Sequence, residues 1–161
     1  MTKKEHHNPM KNMSDAEIAD EIRRINLANE HLFDRNGERI IQKVVKNFHA
    51  GCVLAIKTVM MADVRNQIDP ELANDVVSEA LQLKYAAANV EMLHAFITDP
   101  QRLRLFAAVR EPLKFALVEG LQDCDRRNDR VKSLSRKVLN LYVPDWKERG
   151  RAEAIKRGYV K

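Results

Sequence analysis

Glu91-Met92-Leu93-His94 sets a carboxylate and an imidazole three residues apart. At that spacing two side chains leave one face of a helix together, as in carboxylate-bridged di-iron bundles. A complete centre of that kind needs a second pair and two more inward carboxylates, and the chain has only this pair. Glu30 and His31 are adjacent, which sends their side chains to different faces. Dimerisation could bring two copies of Glu91 and His94 together, with Glu30 as an extra ligand, giving a metal-binding bundle. A histidine hydrogen-bonded in a core is the simpler account, so no metal ligand, cofactor or catalytic residue is expected.

Other chemistry finds little support. Cys52 and Cys124 are far apart and outside any metal-ligand or redox spacing, so two reduced, packed thiols are expected. His6, His7 and His49 have no ligand-spaced partners. The five glycines form no phosphate-binding loop. Ser14, Ser78, Ser133 and Ser135 lie in no nucleophile elbow and read as caps or helix-surface residues.

Charge is the more informative signal. Residues 1–13 carry three basic groups and one acidic, residues 14–100 nine basic and fourteen acidic, and residues 101–161 sixteen basic and eight acidic. The net charge of +5 is therefore concentrated in the last third. Arg126, Arg127, Arg130, Lys132, Arg136 and Lys137 crowd about three helical turns with the single carboxylate Asp129. Lys147, Arg149, Arg151, Lys156 and Arg157 continue the basic region beside Trp146 and Tyr159, whose rings could stack on bases. A phosphate backbone suits such a surface, because counterion release supplies affinity without sequence reading. The competing account pairs these cations with the acidic helices or leaves them solvated.

These side chains need helices to position them. Ser14-Asp15-Ala16-Glu17 is a capping box that should start a first helix, with Ile18, Ile22, Ile25, Asn29 and Leu32 on one face. Asn36-Gly37 is expected to end or bend it. A second helix should run from about residue 38 to 64. Its stripe of Ile41, Val45, Phe48, Cys52, Ala55, Val59 and Ala62 is widened by Ile40, Val44, Ile56 and Met60. Gly51 lies mid-helix, which a close helix crossing or a kink would explain.

Asp69-Pro70-Glu71 should start a third helix. Along it Ala73, Ala80, Ala87 and His94 alternate with Val76, Leu83, Val90 and Ile97, a seam suited to close packing. Asp99-Pro100 should launch a short helix through Leu103, Phe106, Ala107 and Val109, which Glu111-Pro112 kinks or restarts. Leu117, Cys124, Val131 and Val138, with Gly120, Leu134 and Leu141, form a last long stripe interrupted by Arg127. Residues 142–145 should break it before a final short helix from Trp146 to Arg157.

No period-two alternation of useful length occurs, so the expected fold is all-α, an antiparallel bundle of four main helices plus one or two short ones. The chain divides into a tail (1–13), a bundle (14–143) and a basic carboxy-terminal helix or tail (144–161). The polar amino terminus lacks a signal peptide's apolar stretch, which points to the cytoplasm. The apolar run from Phe48 to Met61 is too short and too interrupted by His49 and Lys57 to span a bilayer, so no membrane partner is expected.

The functional expectation is a non-enzymatic binding protein, a small regulatory or accessory factor that engages nucleic acid or another anionic partner through the basic third. An alternative is a protein–protein adaptor or self-associating scaffold that uses its helical seams and Trp146, Ile155 and Tyr159. The dimeric metal-binding bundle is a third reading.

Overall fold

A computed structural model describes residues 10–105 and 107–160, without the side chain of Leu103. The tail before residue 10, with His6 and His7, and the expected core positions Leu103 and Phe106 lie outside what it describes. Six α-helices and no strand occur among the described residues. Local chemistry starts most of them. In α1 (Asp15–Ala28) the Ser14 hydroxyl accepts from the Glu17 amide and the Glu17 carboxylate accepts from the Ser14 amide, a closed capping box. Asp69 accepts from the Leu72 amide and Pro70 opens α3 (Pro70–Thr98). Asp99 accepts from the Gln101 amide at the start of α4 (Pro100–Leu105). Pro112 lies in the first turn of α5 (Arg110–Tyr142), so Glu111-Pro112 begins a helix rather than kinking one. After the break at Val143-Pro144-Asp145, α6 covers Trp146–Lys156.

Two boundaries differ from expectation: the short helix expected to run through Val109 ends at Leu105, with Ala107–Val109 a 3-10 turn, and the end of the first helix lies elsewhere. The first helix ends at Ala28, a 3-10 turn follows at Glu30–Leu32, and α2 (Arg35–Asn66) contains Asn36 and Gly37 in its first turn. Asp34 caps it, its carboxylate accepting from the Gly37 amide at 2.8 Å. Gly37 serves space rather than termination: a Cβ there would lie 2.4 Å from the Leu32 carbonyl oxygen. The helix ends instead at Gln67, which takes the left-handed conformation at φ 52°.

Contacts between the long helices fix their directions. Cys52 meets Ala80 while Leu32 meets His94, so α2 and α3 run antiparallel. Arg127 meets Gln82 while the Tyr142 hydroxyl accepts from the Asp69 amide, so α3 and α5 are antiparallel as well. Asn66 donates to the Tyr142 carbonyl and Gly51 faces Asn128, which leaves α2 and α5 parallel. The expected stripes of α2, α3 and α5 are buried, apart from Val44, Ile56, Ala73, Gly120 and Leu134, which are half-buried. Ile40, Met60 and Leu141 are exposed and belong to no seam. Arg127 breaks no packing, because it lies at the edge and bridges Asp123 and Gln82.

The fourth helix, α1, lies antiparallel on the amino-terminal half of α5. Asn26 donates to the backbone carbonyl and carboxylate of Glu111, while Met13 sits near Gln122. Lys114 is buried beneath it, its ammonium 3.7 Å from Glu30, 3.6 Å from Glu111 and over the Phe33 ring. By length and composition alone α2 would also cross a bilayer, a test that a bundle's core helix meets equally.

Two substitutions test this account of α2's ends. Gly37→Ala should lower stability by about 1–3 kcal/mol, because the new methyl overlaps backbone. Gln67→Gly should raise it by about 0.5–1 kcal/mol by relieving the left-handed residue. Urea unfolding followed by helical circular dichroism measures both.

Candidate binding site: an apolar groove with a cationic rim

The pair at Glu91 and His94 separates in the fold. His94 is buried and its Nε2 lies 2.9 Å from the Leu32 carbonyl oxygen. A carbonyl only accepts, so this nitrogen carries the proton and the imidazole ties α3 to the turn before α2. Glu91 is exposed. Among the described residues no group of three or more His, Cys, Asp or Glu is placed to hold a metal.

The basic third divides into two populations. Arg126 and Arg127 pair with Asp123, Arg130 reaches Glu79 across the α3–α5 seam, and Arg149 and Arg157 pair with Asp145 and Glu153 one turn away. Lys147 lies over the Trp146 ring, while Lys137 shares a surface hollow with Asp69, Glu71 and Asp75 and forms no ion pair among the described residues. Arg151 and Lys156 project from the exposed side of α6. Lys132 and Arg136 are exposed and meet no carboxylate among the described residues. Ile155 and Tyr159, expected to act with Trp146, are exposed, whereas Trp146 is half-buried with its indole N–H donating to Asn140 at 2.8 Å.

What gathers Lys132, Arg136 and Trp146 is a mismatch of lengths. At 1.5 Å per residue α1 extends about 21 Å, whereas α5 extends about 50 Å. The face of α5 that carries Val118 beneath α1 returns at Asp125, Lys132 and Leu139, past the level where α1 begins. There the trough between α2 and α5 is open and holds a cavity of about 500 Å3. Its α2 wall is Gly51, Leu54, Ala55, Thr58 and Met61, and its α5 wall is Val131, Ser135, Leu139 and Val143. Trp146 and Arg149 of α6 close one end, and Lys132 and Arg136 stand on the rim. No carboxylate lines it.

Sequence reasoning missed the α2 wall. The usable signal was the apolar surplus of α2: Leu54 and Met61 fall outside the core stripe and remain 66 % and 38 % exposed.

The neighbouring thiols supply no nucleophile. Cys52 donates to the Ala80 carbonyl, and burial pushes its ionisation up. Burial, reinforced by Asp123 and Asp125, pushes Cys124 up to about 11. Below about pH 9 folded and unfolded chains both keep the Cys124 proton. Above it the unfolded chain loses the proton first, so stability should fall as pH rises from about 9 to about 11. The urea midpoint across that range, compared with Cys124→Ala, checks the sign. At pH 8 both thiols should resist a thiol reagent until the chain unfolds.

Comparison of the chain with models of protein families, with curated proteins and with solved structures returns no match.

Proposed function

We propose that this chain is a non-enzymatic binding protein that takes up an anionic partner in the groove between α2 and α5. The observation that carries this reading is the position of Lys132 and Arg136, which have no carboxylate partner among the described residues, on one apolar cavity with no lining carboxylate. An apolar wall lowers the local dielectric, so an anion beside it gains more from these cations than from the same charges in open solvent. Sites that bind ligands share this pattern, an apolar concavity with a few convergent polar groups.

A partner read only through phosphates, as in non-specific nucleic-acid binding, would use the whole basic face. Part of that face is already engaged within the chain: Arg126, Arg127 and Arg130 have carboxylate partners, and Arg149 and Arg157 have theirs inside α6 or at its cap. Of the cations without a carboxylate partner among the described residues, Lys132 and Arg136 are the two that line the groove.

Duplex DNA, single-stranded RNA and heparin across a salt series are the probes. Lys132→Glu with Arg136→Glu should weaken low-salt binding about tenfold or more, while Arg126→Glu with Arg130→Glu should weaken it less. Equal losses in the two double variants would contradict a site centred on the groove.

A further inference from the structure

We infer that the groove's occupant is a single-chain amphiphile with an anionic head, a medium- or long-chain fatty carboxylate, and this inference rests on the anionic-partner reading above. The cavity's volume of about 500 Å3 falls inside the range of about 300–1,000 Å3 typical of small-molecule sites. Its walls are almost wholly apolar: Leu54, Ala55 and Met61 on one side, Val131 and Leu139 on the other. Two hydroxyls line it: Thr58 on α2, which already donates to the Leu54 carbonyl, and Ser135 on α5. An alkyl chain satisfies such walls, and a sugar, nucleotide or peptide backbone would leave its polar groups unpaired against them.

The head is specified by the rim. Lys132 and Arg136 are four residues apart on α5, where side chains are neighbours and can share one carboxylate. Neither has a carboxylate partner among the described residues. The chain does pair a cation when it buries one, as Lys114 shows with Glu30 and Glu111. A partner helix fits less well, because it needs an apolar track running past both of its ends, and Trp146 and Arg149 of α6 stop the trough at one end. The chain's own first nine residues fit less well again, since Lys3 and Lys4 would meet a cationic rim.

Trp146 is the only tryptophan in the chain and lines the cavity, so its fluorescence reports occupancy directly. The full chain is titrated below micelle-forming concentrations with octanoate, decanoate, dodecanoate, 1-dodecanol and dodecylammonium, with calorimetry for stoichiometry. The expected result is saturable binding at one site per chain that tightens about fourfold for each added methylene. Dodecanoate should bind at least tenfold tighter than dodecanol, and dodecylammonium weakest. Lys132→Glu with Arg136→Glu should remove the preference for carboxylate and lower dodecanol affinity far less than dodecanoate affinity. Leu54→Asp, at an exposed position that folding tolerates, should abolish all three.

Equal affinity for carboxylate, alcohol and ammonium would overturn the inference. So would no response to dodecanoate while groove-dependent heparin or DNA binding persists, an outcome that leaves the broader anionic-partner reading standing. Loss of both kinds of binding overturns both.

Discussion

Two glycines set how closely α5 approaches its neighbours. A Cβ at Gly120 of α5 would come within 3.0 Å of Val90 on α3, and one at Gly51 of α2 within 3.1 Å of Asn128 on α5. Ala55, Ala62, Ala80 and Ala87, with Cys52 and Cys124, continue the small-residue lining of the same seams, and all are buried. Close approach on both sides lets α2, α3 and α5 complete a core among themselves. The fourth helix is then free to be short, and the open trough between α2 and α5 follows from that shortness.

The capping and the stripes were legible because they are local. Ser14, Asp69 and Asp99 each accept from an amide two or three residues ahead, so a short window of sequence contains the whole interaction. The buried positions of α2, α3 and α5 recur at three and four residues for the same reason. Asn36-Gly37 misled because Gly37 answers to the Leu32 carbonyl folding back over it, a contact made by the turn and not by the helix's own backbone. The groove was illegible for a related reason. It is a relation between the length of α1 and the length of α5, and it needs Leu54 and Met61 from a third helix.

The cations illustrate a further limit of reading charge from sequence. Arg126 and Arg136 look alike in a basic run, yet one faces Asp123 and the other stands free over an apolar wall. Exposed pairs within one helix contribute little to stability, about 0.3–0.5 kcal/mol each, but they lower the net field that a partner meets. Lys114 shows the opposite extreme: burial makes a lone ammonium costly, and Glu30, Glu111 and the Phe33 ring offset that cost while fastening the turn after α1 to α5. The Asn26 amide beside it, with help from Lys114, holds the Glu111 carboxyl below its usual range, which keeps that clasp charged.

The central claim is that the stretch of trough left bare by α1 holds a ligand. Diffraction from crystals grown with 12-bromododecanoate, collected at the bromine absorption edge, locates the end of the chain without assumption. The account predicts a bromine peak between Leu54, Thr58, Val131 and Leu139, with the carboxylate towards Lys132 and Arg136. A peak elsewhere on the molecule, or an empty groove in crystals that take up the compound, would contradict it.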